Sequence, residues 1–307
     1  MSIANFFKNT PISENQRIDK LNNVEIYLKR EDQIHPEVSG NKFRKLKYNL
    51  LDVHENQTVL TFGGAFSNHI LATAKACEML NLNCIGVIRG DELGVDLVKT
   101  LYQNKTLRTA HEAGMQLYFV SRQDYRLKEQ MDLVQRLSNR SDLCIIPEGG
   151  TNEKAILGCQ EILTEEDKQF EYIACALGTS GTFVGLLKSS ESHQHLLGFP
   201  ALKGDFFKNE IQKYTQRQNY TLEAQYHFGG YAKYNKDLID FINRFKQKYH
   251  VQLDPIYTGK MIYGLYDMIE KNQFQKNTRI LAIHTGGLQG IYGFNAKLRS
   301  KTNYEII

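Results

Sequence analysis

One pattern restricts this chain more than any other: short apolar runs end in glycine, and each leads into a stretch with helical periodicity. "QTVLTFGG" precedes "SNHILATAKACEMLN", "NCIGVIRG" precedes "DLVKTLYQNKTLRTAHEAG", and "CIIPEGG" and "YIACALG" repeat the arrangement. "NVEIYLKRED" reads as a strand before the helical "NKFRKLKYNLLDVHE", "MQLYFVS" as another strand, and "RILAIHTGG" closes the series. Strands alternating with helices of about 10–15 residues predict right-handed β-α-β units and a mostly parallel sheet. Ligands of such sheets bind beyond the carboxyl ends of the strands. The glycines collect at those ends: Gly63-Gly64, Gly149-Gly150, Gly178, Gly181 and Gly286-Gly287.

Composition enters where it excludes classes. A length of 307 residues allows two packed α/β domains, and no repeat or proline-rich linker separates them. No apolar run approaches the ~20 residues needed to cross a bilayer. The first twenty residues lack the basic-then-apolar layout of a signal peptide. Five dispersed cysteines without a C-x-x-C pair predict reduced thiols and a cytoplasmic protein. With 38 basic against 34 acidic residues and no nucleic-acid signature, neither nucleic acid nor membrane is predicted as a partner. Nine histidines without H-E-x-x-H or paired spacing predict no metal site.

Three stretches can carry chemistry. In "YIACALGTSGTFVGLLKSS" a buried strand runs into Gly178-Thr179-Ser180-Gly181-Thr182, and a helix opens at about Phe183. Such a loop offers free N–H groups and a helix dipole to an anion, which predicts a phosphate site; the alternative is a plain turn with capping hydroxyls. It is neither G-x-G-x-x-G nor a Walker loop. In "TFGGAFSNHILATAKAC", Ser67, Asn68 and His69 stand at a helix start, either as carboxylate or ring-oxygen contacts or as ordinary caps. In "HPEVSGNKFRKLKYNLL" four cations, Lys42, Arg44, Lys45 and Lys47, follow a glycine. Burial and neighbouring charge would turn Lys42 into a nucleophile, with Arg44, Lys45 and Lys47 as sources of that charge, whereas a solvated basic face would not.

The motifs "KRED…SGNKFRKL", "GGAFSNH", "IPEGGTN", "ALGTSGT", "DPIYTGKMIYGL" and "IHTGG", in this order, make the chain similar to one family over nearly its whole length. It resembles the D-cysteine desulfhydrase / 1-aminocyclopropane-1-carboxylate deaminase family, pyridoxal-phosphate enzymes of fold type II. The resemblance implies two open twisted α/β domains with the active site in the cleft between them. Residues 1–48 plus 154–307 would form the large domain and 49–153 the small one.

It further implies that Lys42 forms the Schiff base with pyridoxal 5'-phosphate and that Lys45 assists the phosphate. Gly178, Thr179, Ser180, Gly181 and Thr182 would cradle that phosphate, while Asn68 would meet the ring hydroxyl. Ser67, Asn68 and His69 would hold the substrate carboxylate. Tyr231 and Tyr257 match the family's two active-site tyrosines, near the substrate and suited to proton transfer. Thr258 and Thr285 approach the pyridine side. Cyclopropane deaminases carry Glu and Leu at those two positions, so the threonines resemble the desulfhydrase version. After "SNH" the family usually continues Thr-Arg, where this chain has Ile70-Leu71.

The implied reaction is α-proton removal by Lys42 or Tyr257, loss of a β-substituent, and hydrolysis to an α-keto acid and ammonia. D-cysteine would give pyruvate, sulfide and ammonia. Cyclopropane-carboxylate deamination is the alternative activity, and a non-catalytic binding protein the alternative class. A homodimer acting on a small amino acid completes the expectation.

Overall fold

The strands sort into two separate sheets. β1 (Asn15–Leu21), β2 (Val24–Lys29), β7 (Tyr172–Leu177), β8 (His195–Pro200), β9 (Tyr220–Leu222) and β10 (Arg279–Ile283) build one. β3 (Thr58–Gly64), β4 (Asn83–Arg89), β5 (Gln116–Val120) and β6 (Leu143–Ile146) build the other. This computed structural model describes residues 2–8, 10–54 and 56–307.

The six-stranded sheet runs in the order β1-β2-β10-β7-β8-β9 and the four-stranded sheet β5-β4-β3-β6. Every pairing is parallel except β1 with β2. That hairpin turns through Asn22 and Asn23 at φ 49° and 63°, the left-handed geometry that matches strand twist in a two-residue turn. Central β7 is buried at every position but its first, as expected of a parallel strand covered on both faces.

Four apolar clusters fill the layers. Helices Lys236–Tyr249, Thr258–Glu270 and Gly290–Arg299 cover one face of the large sheet. Helices Glu153–Gln160, Gly181–Ser189 and Phe206–Gln212 cover its other face. Helices Asn41–Leu51, Asn68–Leu80 and Lys105–Glu112 pack on the small sheet. A fourth cluster lies beneath helix Asp132–Ser138. Each fully buried Leu, Ile or Phe in these layers contributes about 1.5–3 kcal/mol. Among the described residues no helix is long and apolar enough to cross a membrane.

Some elements differ from the sequence pattern, each for a local reason. The stretch 96–114 is two helices, Leu97–Gln103 and Lys105–Glu112, because Asn104 caps the second through Leu107 N at 3.0 Å. The helix after Gly40 ends at Leu51, and the predicted terminus Glu55 lies outside the described residues, as do Met1 and Asn9. The helix after the Gly178 loop opens at Gly181, two residues before Phe183.

Helix Asn41–Leu51 positions the site and is held by two close backbone approaches. At its mouth Gly40 has φ +63°, and a Cβ there would sit 2.0 Å from the Thr285 carbonyl oxygen, so only glycine lets the two segments meet. Further along, a Cβ on Gly158 would lie 2.0 Å from Arg44 O, which sets how closely helix Glu153–Gln160 can pack. Charges of the "KRED" motif brace this frame. Lys29 pairs with Asp167 at 2.7 Å and Arg44 with Glu31 at 2.9 Å, both buried.

Candidate active site

The carboxyl ends of β3, β6, β7 and β10 release the loops that converge on helix Asn41–Leu51. Of the four cations on that helix, two are structural. Arg44 donates to both Glu31 carboxylate oxygens, and Lys47 to both of Glu161. Their charge is neutralised, so the expectation that they would help depress Lys42 fails. Burial pushes the Lys42 ammonium down to about 7, and Lys45 adds to the effect. Burial likewise lowers Lys45.

Neither ammonium meets an acid. Lys42 Nζ donates to Asn41 Oδ1 at 3.0 Å, and the same amide donates from Nδ2 to Thr182 Oγ1 at 2.8 Å. Asn41 therefore joins the lysine to the Gly178–Thr182 loop. Lys45 Nζ donates to Gly149 O at 3.0 Å, Thr151 Oγ1 at 3.1 Å and Thr179 Oγ1 at 3.2 Å. A buried Lys45 and a half-buried Lys42, both with neutral partners, face a helix N-terminus, an arrangement that calls for an anion. Ser180 (φ 56°) heads that helix without making a cap bond, and its buried Oγ has no partner.

The opposite sheet supplies Ser67, Asn68 and His69. Ser67 is a true N-cap: its Oγ accepts from Ile70 N at 3.3 Å, which leaves its own proton to donate. Asn68 Nδ2 donates across the cleft to Gly287 O at 3.3 Å. The His69 ring is only 1% exposed and turns inward. Thr61 gives its proton to Ile146 O at 2.8 Å, so His69 Nε2 must donate to Thr61 Oγ1 at 2.8 Å. Nδ1 is then a bare buried acceptor without a partner. Burial and the two lysines hold this imidazole neutral, far below its usual range.

Tyr257 and Tyr231 stand edge to face with centroids 6.3 Å apart. A methyl on Gly178 would touch the Tyr257 ring at 3.0 Å, so this tyrosine borders the anion loop. Burial raises both phenols, with Arg89 pulling Tyr231 the other way. Thr258 and Thr285 are both buried. Thr258 Oγ1 donates to Asp254 Oδ2 at 2.6 Å and accepts from Asp254 N at 3.0 Å. Asp254 also accepts from the N–H groups of Ile256, Tyr257 and Thr258, each at 2.8 Å. A carboxylate therefore stands one hydroxyl behind this wall.

Sequence reasoning missed Asn41, Thr151, Asp254 and Lys260, although each lies inside or beside a motif it singled out. It also missed Arg89, at the carboxyl end of β4, and Glu148, which accepts from Tyr125 Oη at 2.8 Å.

The family described as pyridoxal-phosphate dependent enzyme matches residues 3–286. The chain belongs to this family. An Arabidopsis thaliana protein named bifunctional D-cysteine desulfhydrase/1-aminocyclopropane-1-carboxylate deaminase is 30% identical over 88% of this chain and 74% of its own length. A D-cysteine desulfhydrase of Serratia proteamaculans is 26% identical over 94% of both chains. A crystal structure described as an ACC deaminase homologue superposes with a TM-score of 0.77 at 25% identity, covering 97% of this chain and 98% of the other. The fold is thus that of the fold type II enzymes, and pyridoxal phosphate is the cofactor. The residues present fit it: an amine near neutrality, a second buried ammonium, and an unpartnered hydroxyl at a helix N-terminus.

Proposed function

We propose that the chain is a β-eliminating lyase acting on D-cysteine or a close analogue, with water as co-reactant and pyruvate, sulfide and ammonia as products. The observation that carries this reading is the pair of buried hydroxyls, Thr258 and Thr285, where ring-opening relatives are expected to hold Glu and Leu. The desulfhydrase names among its relatives point the same way.

In this reading Lys42 holds the cofactor covalently. Lys45, Thr151 and the loop Gly178, Thr179, Ser180, Gly181 and Thr182 bind its phosphate. Asn68 meets the ring hydroxyl, and Thr258 and Thr285 line the pyridine side. When bound, pyridoxal phosphate withdraws electrons from the substrate α-carbon, so that the α-proton and then the β-sulfur can leave. Ser67 donates its free hydroxyl proton to the substrate carboxylate. Asn68 and His69 act there through the helix start, His69 by its backbone N–H because its ring is tied to Thr61. Lys42, half-deprotonated near neutral pH, takes the α-proton, or Tyr257 does from the facing side. Tyr231 and Tyr257 flank the reacting carbon.

A second reading, opening of the cyclopropane acid, is favoured by Asp254. Because Thr258 gives its proton to that carboxylate, it can only accept from the pyridine side, which supports a protonated ring nitrogen. Assays of the same cofactor-loaded protein on D-cysteine, β-chloro-D-alanine, L-cysteine and the cyclopropane acid separate the two. Sulfide and keto acid from D-cysteine are expected; faster ammonia release from the cyclopropane acid would reverse the order.

The domain division at residues 48/49 and 153/154 belongs to the same proposal. Helix Asn41–Leu51 crosses the first boundary and helix Glu153–Gln160 begins at the second. A cytoplasmic homodimer is proposed as well, the compartment resting on five free thiols and the dimer on family resemblance. Sedimentation of the loaded protein tests the dimer.

A further inference from the structure

Lys260 sits in the first turn of helix Thr258–Glu270, where the helix dipole disfavours a cation, and it is only 2% exposed. Its Nζ donates to His227 O and to Gly230 O, both at 2.8 Å, and to no acid. Burial pushes this ammonium down to about 8 despite the opposing pull of Asp254. A buried lysine bound only to two carbonyls is a costly way to join a loop to a helix.

The loop it joins is strained. Phe228, Gly229, Gly230 and Ala232 all have positive φ, at 54°, 93°, 118° and 54°. Two of these are not glycine, and each costs about 1–2 kcal/mol in that region. Within the loop, Gly230 N reaches His227 O, Gly229 N reaches His227 Nδ1 and Lys233 N reaches Gly230 O. The next residue after Gly230 is Tyr231, 48% exposed and resting on Tyr257. Tyr257, in turn, directly precedes the helix that carries Lys260.

We infer that Lys260 is a positioning residue that sets Tyr231 against Tyr257 by tying the strained 227–232 loop to the start of the helix behind Tyr257. The inference rests on the reading that these tyrosines face the substrate, and adds the residue that fixes their mutual geometry. The Asp254 carboxylate fixes the Tyr257 end by accepting from that residue's backbone N–H, and Lys260 fixes the Tyr231 end.

The chain contains no tryptophan, so Tyr231→Trp introduces a single indole emitter at the loop. In the cofactor-loaded protein with that substitution, Lys260→Met should raise acrylamide quenching of the indole at least about twofold and lower its anisotropy. Lys260→Gln, which keeps two N–H donors, should restore part of both, and it stands in if the Met variant does not fold. With the native tyrosine, Lys260→Met should lower kcat on D-cysteine about tenfold while leaving cofactor affinity unchanged. In a Tyr231→Phe background the same substitution should cost less than about twofold, the non-additivity of two residues acting through one contact. Unchanged indole quenching in a folded Lys260 variant overturns the inference, as does a loss that multiplies with that of Tyr231→Phe. If wild-type protein releases no keto acid from any amino acid, the proposed activity fails by itself, and the indole signal still decides the role of Lys260.

Discussion

The two ends of the site are built on opposite plans. At the anion end polar groups are left over: Ser180 Oγ and His69 Nδ1 are buried without partners, and Lys42 and Lys45 meet only neutral oxygens. At the tyrosine end the buried charged groups are matched within the fold. Thr258 gives and receives with Asp254, three backbone N–H groups fill the Asp254 carboxylate, and Lys260 is matched to two carbonyls. An end with unspent hydrogen-bonding capacity is completed by a ligand. An end whose charges are matched internally holds a fixed shape against which something else must react.

The sharpest way to break this contrast is Lys42→Ala. It should abolish turnover, by on the order of 10³-fold or more, and covalent cofactor attachment with it. Borohydride reduction followed by mass spectrometry reads the attachment, and a reduced adduct on another lysine would remove Lys42 from its role. Next in size, Tyr257→Phe should lower kcat by about 10²-fold, the scale of a lost proton-transfer group, with cofactor affinity within about twofold of wild type. A change in affinity instead of rate would move Tyr257 to the other class.

Lys45→Met should do the reverse. Charge-assisted hydrogen bonds contribute about 1.5–3 kcal/mol, so cofactor affinity should fall about 10–100-fold while the protein can still be loaded at high cofactor concentration. Ser180→Ala, which removes one neutral donor, should cost less than about tenfold in the same titration. Smallest of all is a shift in pH. Only the free amine attacks an aldehyde, and Lys42 loses its proton on going above about 7, so loading of apoprotein should speed up with rising pH and level off just above that value. Because Lys45 depresses Lys42, Lys45→Met should move the midpoint upward. A midpoint near that of an ordinary lysine in wild-type protein would contradict the burial of the amine.

Much of this plan was legible in one dimension. Strands ending in glycine announce themselves because a buried parallel strand is a continuous apolar run and its exit must turn sharply, as at β3 and β7. β1 was not legible: "NQRIDKL" is a polar edge strand, defined by its pairing with β2 and not by its own composition. β8, "HLLGFP", went unread although it is apolar, because it lies in the stretch least like known motifs. In the site, Lys42, Lys45 and the Gly178–Thr182 loop could be named because local sequence sets a helix start and an anion loop. The partners of Lys45 at 149, 151 and 179 lie more than a hundred residues away, and nothing local reports such contacts. Equally hidden was which cations are neutralised, since Arg44 and Lys47 differ from Lys42 only in what other helices and loops bring to them.

The parallel pairing of β2 with β10 brings residues 25–29 against 279–283. During synthesis this gives the halves of the protein different schedules. All four strands of the smaller sheet lie between residues 58 and 146, so that sheet can close as soon as its last strand clears the ribosome. The larger sheet must wait for β10, which at about 5–20 residues per second arrives roughly 7–27 seconds later. From the time each emerges until β10 arrives, β2 and β7, the two neighbours of β10, each present an unpaired edge to the cell. A nascent chain stalled within this window should be a strong client for chaperones that recognise exposed apolar strands.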